Sequence, residues 1–149
     1  LTEPAGLTGG AASREALASQ FLVAVSARDT AALTALAVSR VEFAWLVFPG
    51  HIYGRPPYEL DPEIFWMQLT AESAKGAHRT LELYGGARLA LLSMWCQRDT
   101  MQIKSGPVRI WSNCELRYRA GDSVLTGRLF GSIVERDGRM KLLSFANDF

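Results

Sequence analysis

Hydrophobic positions along this chain follow two regimes, with helical spacing before Gly85-Gly86 and strand-like alternation after it. Ser13 stands where a helix N-cap is wanted, and Glu15 in the first turn suits the positive end of the helix dipole. Leu17, Phe21, Leu22 and Val25 then share one helical stripe. Asp29 repeats the capping pattern ahead of Leu33 and Leu36, so the two helices form a hairpin with a very short connection. The run from Val41 to Phe48 is apolar on every face except at Glu42, which suits a buried strand or a buried helical turn equally, and Pro49-Gly50 ends it. Asp61-Pro62-Glu63 is the clearest helix start: a cap, a proline with preset φ, and an acid at the dipole. Phe65, Leu69, Ser73, Ala77 and Leu81 recur at a constant spacing from there to Tyr84. Gly76 interrupts them and costs about 1 kcal/mol relative to alanine, which predicts either one long helix with a weak point or two helices meeting there.

Four β-rich runs follow, at 88–97, 108–119, 124–135 and 140–149. Lys104-Ser105-Gly106-Pro107, Ala120-Gly121-Asp122 and Asp137-Gly138 separate them, and the last is a hairpin signal because a type I′ turn needs positive φ at both central residues. Short connections predict an antiparallel meander, since parallel neighbours need long crossovers. Strict alternation in 108–119 puts Val108, Ile110, Ser112, Cys114, Leu116 and Tyr118 on one face. Arg109, Trp111, Asn113, Glu115, Arg117 and Arg119 fall on the other, an exposed face on which Trp111 is a candidate anchor for a subunit contact. The alternative is a lone surface tryptophan shielded by its arginines.

The chain's 149 residues fit a single α+β domain over 13–149, with helices packed in a strongly curved, mainly antiparallel sheet. Residues 1–12, rich in glycine and threonine, read as a flexible tail. Their small-residue composition suits the mature start of an exported protein as well as it suits the cut end of a longer chain. A net charge of +1 calls for neither nucleic acid nor an anionic membrane, and no apolar run reaches the length of a membrane span. Cys96 and Cys114 sit inside apolar runs and read as buried thiols packing as small hydrophobes, with a single bridge between them as the alternative. No spacing joins them to His51 or His78 as a metal site, and no motif implies a cofactor.

N-terminal helices followed by a long meander, closed by Asp137-Gly138-Arg139-Met140-Lys141-Leu142-Leu143-Ser144-Phe145-Ala146-Asn147-Asp148-Phe149, resemble the nuclear transport factor 2-like superfamily over residues 13–149. The resemblance implies a cone whose sheet wraps a helix around an interior pocket. It does not choose an activity, because that superfamily holds isomerases, dehydratases and hydrolases together with binding and dimerising modules. No catalytic residue of those enzymes can be matched to a position here.

Candidate chemistry concentrates in the segment 51–62, where His51, Tyr53, Arg55, Tyr58 and two acids share a connection stiffened by Pro56-Pro57. Over the mouth of a cone these side chains would line a pocket, as would Trp66. In the alternative, Tyr53 and Tyr58 only cover the edge of the core. His51 has the pKa range of a general base, and Asp148 on the last strand is a candidate acid if its face points inward. Three readings follow. One is a pocket domain for a small, largely apolar molecule, dimeric through its sheet. The others are a cofactor-independent isomerase, dehydratase or hydrolase working by general acid–base chemistry, and an interaction module of the cell envelope.

Overall fold

Side-chain caps start each of the first two helices where the sequence places them. In this computed structural model, which describes residues 2–51, 61–100, 103 and 106–147, they are α1 (Arg14–Ala27) and α2 (Thr30–Leu36). Ser13 accepts the Ala16 N–H and Asp29 the Ala32 N–H, each at 3.0 Å. Between the helices Arg28 turns the chain with φ 53°, and its guanidinium donates to the Gly85 carbonyl at 2.7 Å. The ambiguous run at 41–48 is helical. Ser39 and Glu42 form a capping box that opens α3 (Arg40–Glu42), and the chain continues through a π-turn (Phe43–Val47) and a 3-10 turn (Phe48–Gly50).

The helix α4 (Pro62–Tyr84) runs unbroken through Gly76. The glycine is required by a neighbour rather than by a kink, because an added Cβ there would collide with the backbone carbonyl of Phe145. The C-terminal chain lies against the helix at this point. Ser73 Oγ accepts the Phe145 N–H at 2.9 Å, and Asn147 Nδ2 donates to the Gly76 carbonyl and to Thr80 Oγ1, both at 2.8 Å.

The sheet comprises β1 (Leu89–Asp99), β2 (Val108–Ala120), β3 (Ser123–Gly127), β4 (Ile133–Arg136) and β5 (Arg139–Leu142). All its pairs are antiparallel, so the meander holds, and the sheet remains open. The expected third strand divides in two. β3 pairs with one end of β2 and β4 with the other, on the edge away from β1. Asp137 and Gly138, at φ 52° and 75°, turn β4 into β5. The last strand is shorter than expected and ends at Leu142, after which Leu143 donates to Ser132 and Ser144 accepts from Gly131 before the chain reaches α4. The N-terminal residues are tied in as well: Ala11 exchanges two backbone hydrogen bonds with Met140, and Leu7 packs against a core cluster.

Buried and exposed residues alternate along β2 as expected, apart from half-buried Trp111 and Ser112, but a bulge divides the buried set between two faces of the sheet. Trp95 lies opposite Glu115 but Gln97 lies opposite Ser112, so Cys96 alone faces two residues of β2, one of which is Asn113 at φ 53°. The extra residue exchanges the faces. Val108 and Ile110 enter a cluster with Phe43, Val47 and Val134, whereas Cys114, Leu116 and Tyr118 enter the cluster around Phe21 and Leu22 of α1. Cys114 stands next to the bulge, opposite Cys96 in the register that Trp95 and Glu115 set. The two cysteines are bridged, at a Cα separation of 4.1 Å, and not free thiols. The sequence leaves the pairing open because the approach depends on the register of β1 against β2.

Candidate functional site

His51 is 2% exposed and its ring stands edge-on to Phe65, with centroids 5.1 Å apart. It belongs to an aromatic cluster in which Phe43 touches Phe48, Phe65 and Trp66. Of the other residues expected at a pocket, Tyr53, Arg55, Tyr58 and Asp148 lie outside the described residues. Trp66 packs on Phe43 at 5.1 Å and also lines a cleft. Trp111 is half-buried: its indole N–H donates to Glu135 Oε1 at 2.9 Å, and the Arg14 guanidinium covers its ring at 3.8 Å. The tryptophan left bare on the sheet is Trp95, 66% exposed.

The cleft holding Trp66 has a volume of about 480 Å³ and opens between the α2–α3 connection and α4, with β5 and the chain after it as floor. Val38, Leu69, Leu143 and Phe145 supply apolar wall, and Thr70 and Ser73 supply hydroxyls. Two cations reach it, each already held by an acid. Arg40 pairs with Glu63 across the surface, and Lys141, 5% exposed, donates to Glu42 Oε1 at 2.8 Å. Glu42 is itself 3% exposed and also accepts the Ser39 N–H at 2.9 Å and the Thr8 N–H at 2.7 Å. Burial pushes its carboxyl pKa up, but the Lys141 ammonium and the two backbone donors outweigh that and hold it below its ordinary value. A carboxylate so fully engaged is a structural anchor rather than a free base.

A second cleft, of about 460 Å³, opens at the bulge and shares no lining residue with the first. Ser112 Oγ lies 3.0 Å from Asp99 Oδ2 and 3.1 Å from Ser132 Oγ. Asn113, Arg128 and Asn147 complete the polar lining. Asn147 is fixed from both ends of its amide: Nδ2 donates to Gly76, Thr80 and Leu129, and Oδ1 accepts from Arg79. The sequence reading passes over this group. Its one visible signal is a serine at 112 continuing the apolar row of Val108 and Ile110. Among the described residues, no three His, Cys, Asp or Glu side chains gather as a metal site, and no helix is long and apolar enough to cross a membrane.

The chain matches no protein-family model, no curated protein and no solved structure.

Proposed function

We propose that this chain is a binding domain of the nuclear transport factor 2-like kind, which takes a small, largely apolar molecule into the cleft beside Trp66. The observation that carries the reading is the lining of that cleft. One indole and four aliphatic or aromatic side chains form its wall, and both cations at its rim are neutralised within the protein. An uncharged ligand with one hydroxyl or carbonyl group suits such a site, the apolar body taking the wall and Thr70 or Ser73 the polar end. The commitment of Glu42 to three donors favours binding over acid–base chemistry.

The bare face of the sheet supports a homodimer. Trp95 and Val124 stand exposed on it among Glu115, Arg117 and Arg119, an arrangement in which an acid of one copy meets the arginines of another across a twofold axis. A bridged core pair favours an oxidising compartment, in keeping with an exported protein.

Isothermal titration with medium-chain alcohols and aromatic alcohols tests the binding site. Saturable binding is expected, weakened roughly tenfold by Trp66→Ala, which is the loss of one good aromatic contact. Absence of binding by every probe, or binding unchanged in Trp66→Ala, refutes the assignment.

A further inference from the structure

The two hydroxyls that α4 brings to the Trp66 cleft are not equivalent. Thr70 Oγ1 donates to the backbone carbonyls of Trp66, at 2.9 Å, and Met67, at 3.1 Å. Its one proton is spent inside the helix, and only lone pairs remain for a guest. Ser73 is used the other way round. Its Oγ accepts the Phe145 N–H at 2.9 Å, and among the described residues it gives its proton to no protein group. The helix therefore leaves Thr70 as an acceptor, and the C-terminal chain leaves Ser73 as a donor.

Both side chains are half-buried and line the same cleft. Three positions apart on a helix, their Cβ atoms are about 5–6 Å from one another. A hydrogen bond between oxygens spans about 2.8 Å, so one ligand oxygen could reach both hydroxyls only from nearly midway between them. A primary carboxamide meets the pair with two atoms, its N–H towards Thr70 and its carbonyl towards Ser73. Charge narrows the class further. Arg40 and Lys141 are matched by Glu63 and Glu42, so a carboxylate guest would add an unbalanced negative charge and bring no proton for Thr70. Esters and ketones lack that proton too.

We infer that the guest of this cleft is a primary carboxamide carried on an apolar body, which rests on the reading of the cleft as a binding site and names its ligand class. Thr70 and Ser73 select the polar end by the order of acceptor and donor, and the wall around Trp66 takes the remainder.

The test is isothermal titration of the intact protein with hexanamide, methyl hexanoate, hexanoate and hexanol. Methyl hexanoate is the more apolar probe, so a cleft with no match for the amide would bind it more tightly than hexanamide. Hexanamide is expected to bind at least as tightly as the ester and the alcohol, and more tightly than hexanoate. Thr70→Val, close in shape, should weaken hexanamide roughly fivefold, the loss of one hydrogen bond, without weakening methyl hexanoate. Ser73→Ala should weaken both, because each offers a carbonyl. Hexanamide binding weaker than ester binding in the parent protein, or indifferent to either substitution, overturns the inference, while saturable binding of ester and alcohol would leave the cleft's assignment standing. Binding by none of the four probes refutes the assignment and the inference together.

Discussion

Reducing the bridge between Cys96 and Cys114 should weaken this protein by an amount that follows from its position in the chain. The two cysteines are 18 residues apart. Closing a loop of that size in the unfolded chain removes conformational entropy worth about 3 kcal/mol at room temperature. The native state gives little of this back, because β1 and β2 pair on both sides of the bridge whether or not the sulfurs are joined. For a domain of this length each kcal/mol moves the midpoint of thermal unfolding by about 2–4 °C, so reduction should lower it by roughly 6–12 °C.

The assay is urea unfolding followed by circular dichroism, with and without reductant, beside the intact mass of the unreduced protein. Comparing two redox states of one sequence avoids the cavity or buried hydroxyl that a cysteine substitution would add. Both curves should be cooperative. The midpoint should fall on reduction, and the slope should steepen because the reduced unfolded chain is more expanded. A mass showing both thiols protonated in protein made under oxidising conditions would refute the pairing. If the bridge is present and stability changes by less than about 1 kcal/mol, the loop-entropy reasoning is refuted instead.

Gly76→Ala should destabilise the protein by about 2 kcal/mol even though alanine favours a helix by about 1 kcal/mol, because displacing the C-terminal chain forfeits the Phe145 and Asn147 hydrogen bonds at about 1 kcal/mol each. Urea unfolding gives the total, hydrogen exchange should show residues 143–147 losing protection, and unchanged protection would count against the close approach. Lys141→Met should cost about 3–5 kcal/mol near neutral pH, since it leaves Glu42 buried without its cation. The pH dependence gives the sign a second check. In the parent protein the Glu42 carboxyl is held below 4.5, so its contribution is complete above that pH and is lost as the pH falls through the folded value. In the variant, burial is opposed less and the folded pKa rises, so acidification should cost the variant less than the parent. Parallel stability curves from pH 7 to about 3.5 would contradict this.

Local chemistry made much of the fold legible. Ser13, Asp29 and Asp61 each accept a backbone N–H at the start of a helix, as their residue types suggest, and Asp137-Gly138 makes the predicted turn. What the sequence hides are relations between distant segments. Gly76 reads as a weak point because its partner, the Phe145 carbonyl, is far along the chain. Glu42 reads as a lone blemish on an apolar run because Lys141 answers it from β5. Alternation separates the buried from the exposed residues of β2 correctly but places the buried ones on a single face, for a related reason. Alternation assumes an unbroken ladder, and the residue in excess at Asn113 is visible only against the register of β1.

That single insertion links the parts of the molecule most relevant to function. Without it, the apolar row of Val108 and Ile110 would continue onto the face that packs on α1. With it, β2 serves one cluster before the bulge and another after it, and the polar group of Asp99, Ser112 and Ser132 sits where the strand changes sides. The bridge therefore does more than shorten the unfolded chain. It fastens the bulged strand to β1 at the residue next to Asn113, which holds the floor of the polar cleft in register. Reduction should therefore loosen the bulge before it affects the apolar cleft, because β1 and β2 contribute lining to the cleft at the bulge and none to the cleft beside Trp66. Hydrogen exchange on protein reduced under native conditions, followed in β2 around the bulge and in α4 beside Trp66, separates the two effects. Equal loss of protection at both clefts would mean that the bridge acts only through global stability.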